Sequence, residues 1–311
     1  MTQPVAKPVF MDKPQKIKRS TPERVGYFFI CLILVLFAFS TIYPVWHVVM
    51  YSFSDSKQAM SGGFFFWPRG FSTLSYEMVF KTRQIWVAYR NSLLVMVVGT
   101  LGALLLSILT AYPLSRKRLG GRNFLAMIFF FTMLFSGGTI PLFMQVNRLG
   151  LINTFWSMVL PGMLSAYNMF ILRNFMQGIP DSLEESGRLD GANDLVILFC
   201  IMLPMCLPSI AAIAMFYGVA YWNNYMNCLL YTQTNDLQVL PLYLRTILNG
   251  AAANALSASS DMSKLGQAAR TVTEESVKMT TVAVSVIPIL IIYPFLQRFY
   301  TKGITVGAVK G

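Results

Sequence analysis

The chain has little charge for its length. Of its 311 residues only 12% are Asp, Glu, Lys or Arg, whereas 55% are apolar and 14% are aromatic. A water-soluble domain usually carries about 25% charged residues, which cover its surface. The deficit therefore excludes a single soluble domain. It also excludes a disordered chain, whose composition is polar, and a small disulfide scaffold, which is rich in cysteine.

Recognisable catalytic chemistry is also missing. The four cysteines lie inside or at the edge of apolar stretches and do not have metal-ligand spacing: Cys31, Cys200, Cys206 and Cys228. The sequence contains no His-Glu-x-x-His, no Gly-x-Ser-x-Gly and no phosphate-binding P-loop. We therefore expect no catalytic residue, no metal site and no cofactor bound by this chain. If the chain takes part in active transport, another chain must supply the energy.

Long uncharged stretches are what the sequence has instead. A membrane-spanning helix takes about 20 mostly apolar residues, and six stretches are long enough. The predicted spans are about 26–50, 91–113, 124–144, 153–173, 197–222 and 279–297. They predict an all-α integral membrane protein with six transmembrane helices. The transmembrane domain would occupy residues 25–300, between tails at 1–24 and 301–311.

The net charge of +12 indicates the orientation of these helices. Basic residues are dense in the first 24 residues and in the loop between the second and third spans, which holds Arg116, Lys117, Arg118 and Arg122. Because short basic loops stay on the cytoplasmic side, both termini are predicted to be cytoplasmic. The same pattern makes membrane lipid the expected neighbour and argues against nucleic acid as a partner.

Apart from Arg173 at the last position of the fourth span, the spans carry one ionisable group other than cysteine or tyrosine, His47. Ion-coupled carriers usually bury acidic or basic residues in their spans, so their absence argues against that class. Small residues four apart in the second span predict close helix packing: Gly99, Ala103, Ser107 and Ala111. Prolines at 44, 161, 204, 208, 288 and 294 predict kinks or broken helix ends.

The predicted cytoplasmic loop 178–194 is the most informative segment. A short helix is expected from 181 to 190, with Ser182 and Glu185 forming a capping box. Glu184 and Arg188 form an i,i+4 pair, and Gly191 is a plausible stop. The small residues Ser186 and Gly187 leave one side nearly bare, so that another surface could approach. From these residues alone the helix could be an amphipathic connector or a docking element.

The spacing within this loop resembles the EAA motif of ABC importer permeases. That motif is Glu-Ala-Ala, three residues, Gly, nine residues, Ile, one residue and Leu-Pro. Here the matching positions are Glu185, Ser186, Gly187, Gly191, Ile201, Leu203 and Pro204. The sequence departs from the motif in having Ser-Gly in place of Ala-Ala, and both replacements are small.

Three further segments resemble the same group. The end of the second span, Ala111–Arg116, is similar to sugar permeases of the MalG type, and so is the tail from residue 297 to 311. The segment Phe135–Pro141 resembles the LplC/YtcP branch, whose members import oligosaccharides. The resemblance covers roughly residues 25–311.

The resemblance implies a type I ABC importer in a bacterial cell membrane. Its expected partners are a homologous second permease, two ATPase subunits that hold ATP and Mg, and an extracytoplasmic solute-binding protein that delivers a carbohydrate. The loop helix would be the coupling helix that docks on an ATPase subunit. The residues assigned to this coupling are Glu184, Glu185, Ser186, Gly187, Arg188, Asp190 and Gly191.

A cluster of aromatic and amide residues follows the fifth span: Tyr221, Trp222, Asn223, Asn224 and Tyr225. Aromatic faces stack on sugar rings and amides bond to hydroxyls, so the cluster is a candidate for the sugar path. It could equally be an aromatic belt at the membrane surface.

The sequence leaves two other classes of function open. The chain could be a stand-alone channel or an ion-coupled carrier, against which the uncharged spans and the loop 178–194 both argue. It could also be a membrane scaffold or a receptor subunit without a transport function.

Overall fold

The computed structural model of the chain describes residues 21–249, 272–288 and 290–291. Within these residues the chain is helical, apart from loops and one isolated antiparallel bridge between Ser54 and Phe71. It divides into two compact units, residues 1–47 and 48–311. Residues 1–20 of the predicted N-terminal tail and the whole predicted C-terminal tail, 301–311, lie outside the described residues. Residues 289 and 292–297 of the sixth predicted span lie outside them as well.

The first helix, α1 (Thr21–Ser52), begins in the first unit and is 32 residues long. From Val25 onward it is long and apolar enough to cross a bilayer. Large apolar side chains along it are exposed, among them Phe29, Leu34 and Phe37. A helix that is apolar on all sides is suited to lipid contact.

The second unit contains the remaining helices. In chain order they are α2 (Ser56–Ala59), α3 (Leu74–Lys81), α4 (Arg83–Ser115), α5 (Arg122–Leu134), α6 (Thr139–Arg148), α7 (Trp156–Val159), α8 (Ala166–Gln177), α9 (Asp181–Leu189), α10 (Asp194–Val196), α11 (Leu203–Met205), α12 (Leu207–Asn223), α13 (Tyr225–Tyr231) and α14 (Leu240–Leu248). A π-helical segment, Ile197–Met202, joins α10 to α11, and residues 274–288 form a further helix.

The long helix α4 packs mainly against α12 and α8. The predicted stripe of small residues is on the packed side, since Gly99, Ala103, Ser107 and Ala111 are all buried. A Cβ at Gly99 would lie 2.7 Å from the ring of Tyr221, so only glycine allows α12 this close. Ser107 shares a hydrogen bond of 2.8 Å with the hydroxyl of Tyr217. The predicted close packing of the second span is therefore confirmed.

Some predicted spans are bent rather than straight. In the part of the chain that the structure describes, α1 and α4 can each cross a membrane alone. The pair α5 and α6 is bent by 113°, and residues 194–205 are bent by 85° against α12. Pro204 and Pro208 flank the second bend, which agrees with the expectation that these prolines break the helix. These helices amount to two to four candidate spans, so the count of six stays a prediction.

The fourth predicted span is interrupted between Val159 and Ala166. Irregular backbone at membrane depth must be satisfied by protein groups, because lipid offers no hydrogen bonds. Two tyrosines of α12 do this. The Tyr221 hydroxyl donates to the Val159 carbonyl at 3.0 Å, and the Ser165 N–H donates to the Tyr217 hydroxyl at 3.0 Å.

Near the N-terminal end of α4, two polar side chains bind the segment that precedes α14. The Asn91 amide, which is buried, donates to the carbonyls of Asp236 at 2.8 Å and Gln238 at 3.0 Å. The Ser92 hydroxyl accepts from the Leu240 N–H at 2.8 Å. These bonds fix the predicted outer end of α4 to the start of α14.

Candidate functional site

The coupling helix predicted from the loop is α9. It begins at Asp181, directly after Pro180, and within the described residues no side chain caps its first turn. The predicted capping box of Ser182 and Glu185 is therefore wrong. The carboxylate of Asp181 lies 3.5 Å from the Arg116 guanidinium and 3.8 Å from the Lys117 ammonium. Charge at the end of α4, rather than a local cap, holds this end of the helix.

The other end of α9 closes as predicted at Gly191, which has a φ of +83°. The Ala192 N–H donates to the Gly187 carbonyl at 2.9 Å, and the Gly191 N–H donates to the Arg188 carbonyl at 3.0 Å. This pair of bonds is a Schellman motif, which needs a left-handed residue that glycine supplies without strain. The stop that the sequence predicts at Gly191 is therefore present.

Glu184 lies on the inner face of α9 and is only 6% exposed. Its carboxylate contacts three guanidinium groups, at 3.2 Å from Arg116, 3.3 Å from Arg118 and 3.0 Å from Arg188. The predicted i,i+4 pair with Arg188 is thus formed. A buried carboxylate needs such partners, because an unpaired charge away from water is costly. Glu184 anchors the helix to its own chain, whereas the sequence assigned it to a partner.

Arg116, only 5% exposed, is the centre of this anchor. One terminal nitrogen donates to the Met176 carbonyl at the end of α8 at 2.7 Å. The other faces Asp181 and Glu184 on α9, and Nε donates to the Ser115 hydroxyl at 3.0 Å. A guanidinium presents five donors in a rigid fork, which suits one side chain to several acceptors. Arg116 therefore ties α4, α8 and α9 together.

Asp194 joins the far side of the loop to the same network. Its carboxylate accepts from Arg118 at 2.7 Å and also from Arg188. The hydrogen bond from Arg118, with a second from Arg188, lowers the pKa of Asp194 below its usual range. The bond to Glu184 raises the pKa of Arg188, and Asp194 adds to the effect. Both ends of the loop 181–194 are thus attached to the chain by ion pairs.

At Gly187 the bare side of α9 faces this chain, whereas Ser186 is exposed. A Cβ at Gly187 would lie 2.8 Å from Cδ1 of Ile201 and 3.5 Å from Cγ1 of Ile197, both in the π-helical segment. The sequence predicted close approach of another surface at Ser186 and Gly187. At Gly187 the approaching surface is the next segment of the same chain, which packs α9 on the start of the bent fifth span.

The outer face of α9 is exposed. Of the residues assigned to coupling, Glu185, Ser186, Asp190 and Gly191 are exposed, and Glu185 makes no ion pair within the described residues. Leu189 is 89% exposed and lies one turn after Glu185. A single exposed leucine is normal on a protein surface, but with Glu185 it lies on a face of α9 that the described chain leaves uncovered and that another protein can therefore contact.

Sequence reasoning missed four residues at this site: Arg116, Arg118, Asp194 and Leu189. The basic residues served in the sequence analysis only to predict the orientation of the helices in the membrane. A signal was available, because a basic run at one cytoplasmic helix end and an acidic loop at another are natural partners. For Leu189 the signal was a leucine on the same helical face as Glu185.

The aromatic and amide residues 221–225, the second candidate site, do not form one exposed surface. Tyr221 and Trp222 are buried at 5% and 4% exposure. Tyr221 fills the space above Gly99, and Trp222 belongs to an apolar cluster that includes Leu240. Asn224 caps α13 by accepting from the Asn227 N–H at 3.2 Å.

The remaining two residues of that cluster are more accessible. Asn223 is exposed and its amide donates to the Val219 carbonyl at 3.0 Å. Tyr225 is partly buried, with the Arg245 guanidinium 4.9 Å from its ring. Of the five residues proposed for a sugar path, Asn223, Asn224 and Tyr225 keep accessible surface, and the role stays a prediction.

Replacing Trp222 with alanine is expected to lower the stability of the folded chain by about 3–5 kcal/mol, because a large cavity would remain in a packed cluster. The matched change Asn223→Ala removes an exposed amide and should leave stability within about 0.5 kcal/mol. Thermal unfolding of the purified protein and its abundance in membranes measure both effects. Equal stability of the two variants would contradict the packing role of Trp222.

The described residues also hold no group of three or more His, Cys, Asp or Glu side chains placed to bind a metal ion. The carboxylates of the α9 network face guanidinium groups instead, which neutralise them. What the arrangement can do is mechanical: it presents an exposed helical face and connects that face rigidly to α4, α8 and the fifth span.

Comparison with known proteins identifies relatives over most of the chain. A family model described as "Binding-protein-dependent transport system inner membrane component" matches residues 103–306. The polygalacturonan/rhamnogalacturonan transport system permease protein YtcP of Bacillus subtilis is 41% identical over 89% of this chain and 96% of that protein. The arabinooligosaccharides transport system permease protein AraQ of Halalkalibacterium halodurans is 30% identical over 88% of this chain and 93% of that protein.

The fold has a solved counterpart. A chain in the crystal structure of a bacterial ABC transporter involved in the import of the acidic polysaccharide alginate superposes with a TM-score of 0.83. The two are 28% identical, and the match covers 92% of this chain and 100% of that one.

Proposed function

Because the chain belongs to the family of binding-protein-dependent transport system inner membrane components, we propose that it is a permease subunit of an ABC importer that moves an oligosaccharide into the cell. The observation that carries this proposal is the identity of 41% to a sugar permease over nearly the full length of both chains. The chain is a multi-pass membrane protein, and the membrane we propose for it is the bacterial cytoplasmic membrane.

The transport systems to which this family belongs depend on a binding protein, and the family members are membrane components of these systems rather than enzymes. We propose that an extracytoplasmic solute-binding protein delivers the oligosaccharide to the outer side. A homologous second permease would complete the pathway through the membrane. Two ATPase subunits would bind ATP and Mg on the cytoplasmic side, so that this chain needs neither. A stand-alone channel or ion-coupled carrier does not agree with membership of a binding-protein-dependent family.

The structure supports a specific route for coupling. An ATPase subunit would contact the exposed face of α9, formed by Glu185, Ser186, Leu189 and Asp190. When the ATPase subunits close on ATP they would displace α9. The buried Arg116 and Glu184 pair would pass that displacement to α4 and α8. The contact of Gly187 with Ile201 would pass it to the fifth span. Such a shift between two packed arrangements is alternating access driven by nucleotide.

The proposed function is tested by reconstituting the chain in proteoliposomes with its second permease, ATPase and binding protein. Fluorescently labelled oligosaccharides, one set acidic and one neutral, are supplied outside with the binding protein, and ATP is enclosed. Uptake of one set is expected to require both ATP and the binding protein. Uptake that proceeds equally without either component would contradict the proposal. So would a cognate binding protein that binds no carbohydrate.

A further inference from the structure

A cavity of 440 Å³ opens at the C-terminal end of α4, beside the start of the fifth span. It is lined by Leu109, Tyr112, Pro113, Arg116, Arg118, Leu119, Asp194, Leu195 and Leu198. The coupling network forms one wall of this cavity, but the cavity is separate from the exposed face of α9. It lies where α4 reaches the predicted cytoplasmic surface.

The lining of the cavity is divided between apolar and polar groups. Leu109 and Leu195 are 40% and 59% exposed, so the apolar side is open to the surroundings of the helices. Arg118 and Asp194 lie on the other side. Such a division suits an amphiphilic ligand, with a chain along the leucines and a polar group beside the arginine.

Tyr112 adds an observation that points to a ligand. Its side chain is 5% exposed, and among the described residues its hydroxyl has no hydrogen-bond partner. Buried hydroxyls are nearly always bonded, because an unmade hydrogen bond away from water is costly. Tyr112 lines the cavity, but its hydroxyl has almost no accessible surface, so a ligand there supplies the missing partner once the side chain turns toward it.

The charge of the surrounding network favours an anion. The ion pairs join four cations, Arg116, Lys117, Arg118 and Arg188, to three carboxylates, Asp181, Glu184 and Asp194. Four positive charges against three negative ones leave one positive charge uncompensated. Basic pockets between helices at the cytoplasmic side are typical binding sites for anionic lipid headgroups.

We propose that this cavity binds a glycerophospholipid of the inner leaflet. Its phosphate accepts hydrogen bonds from the Tyr112 hydroxyl and from the Arg118 guanidinium, and one acyl chain lies along Leu109 and Leu195. The lipid then contacts the same guanidinium that holds Glu184 and Asp194. The inference requires that α4 crosses the membrane, and it is independent of which cargo is carried.

Two variants separate the parts of this site. Tyr112→Phe removes one hydroxyl that has no partner in the described chain, so the fold should tolerate it. Leu195→Trp fills the mouth of the cavity. Leu105→Trp is the matched control, because Leu105 is 48% exposed on α4 and does not line the cavity. Each variant is purified as the assembled transporter in detergent.

Native mass spectrometry then counts the phospholipids that stay bound after delipidation and titration with short-chain phosphatidylglycerol. The parent and Leu105→Trp are expected to bind one lipid more than Leu195→Trp. Tyr112→Phe should weaken this lipid about tenfold, as expected for one hydrogen bond to a charged group. If Leu195→Trp fails to assemble, Tyr112→Phe alone decides the result.

Three outcomes would overturn the proposal. The first is equal lipid retention by the parent, Tyr112→Phe and Leu195→Trp. The second is displacement of phosphatidylglycerol by inorganic phosphate at equal concentration, which would show a site for free phosphate. The third is a loss of partner subunits from Leu195→Trp with no change in lipid count for Tyr112→Phe, which would show that another subunit covers the cavity.

Discussion

Replacing Arg116 with alanine is expected to cost about 3–5 kcal/mol in stability and to abolish uptake, because breaking a buried ion pair leaves its partner uncompensated. Glu184, at 6% exposure, would keep its charge away from water with one guanidinium fewer. The Met176 carbonyl would lose its donor. Arg116→Lys should also fail, because an ammonium cannot reach Met176, Asp181 and Glu184 at once.

Lys117→Ala is the matched control for this prediction. The neighbouring lysine also faces Asp181, but its side chain is 81% exposed and the distance is 3.8 Å. An exposed ion pair of this kind contributes at most about 1 kcal/mol. Thermal unfolding of the assembled transporter and its uptake rate measure both variants. If Arg116→Ala behaves like Lys117→Ala, the buried network does not hold α9.

Glu185→Lys is expected to leave the chain folded and inserted but to reduce uptake by at least about tenfold. The lysine would place a charge of the wrong sign against the ATPase surface that Glu185 is proposed to contact, and such a mismatch costs more than about 1.4 kcal/mol. Glu185 is exposed, so reversing its charge disturbs no contact within the described residues. The loss should be visible as fewer ATPase subunits retained on purification. If the subunits are retained, ATP hydrolysis should no longer depend on substrate.

The control is Asp236→Lys, the same change of charge at an exposed carboxylate near the predicted outer end of α4. It should leave both the retained ATPase and its substrate-stimulated hydrolysis unchanged. Parent rates of hydrolysis and uptake in Glu185→Lys would show that α9 is an ordinary connector, and the proposed coupling route would fail.

Local rules predicted the C-terminal end and the internal ion pair of α9 correctly. Gly191 and the pairing of Glu184 with Arg188 depend on residues within one turn of each other, so spacing alone reveals them. The capping box failed because charges from another helix, Arg116 and Lys117, reach the same first turn. A local propensity was overridden by a tertiary contact that no spacing within the loop can indicate.

Which side of α9 faces inward could not be read from the sequence either. Glu184 and Glu185 are adjacent and chemically identical, and the choice between them depends on where Arg116 and Ile201 lie in space. In the same way, the aromatic residues Tyr221 and Trp222 matched a sugar path by type. Their neighbours, Gly99 and Leu240, are more than a hundred and about twenty residues away in the chain, respectively, and give them packing roles.

The spans were predicted from composition, which measures apolar length and says little about direction. A stretch such as 124–144 is apolar enough to cross a bilayer and still contains a bend of 113° between α5 and α6. Pro204 and Pro208 marked the other bend, because proline removes a backbone donor. No proline lies between Leu134 and Thr139, where Gly137 and Gly138 occupy the turn.

The bend of 85° at Cys206 would determine how a displacement of α9 by an ATPase subunit reaches the membrane. Residues 194–205 and α12 meet almost at right angles, so a push along the first has hardly any component along the second. In the proposed coupling route it would act on the end of α12 as a torque. A short displacement at the cytoplasmic surface would then become a tilt of α12, and Tyr217 and Tyr221 would carry that tilt to the interrupted fourth span.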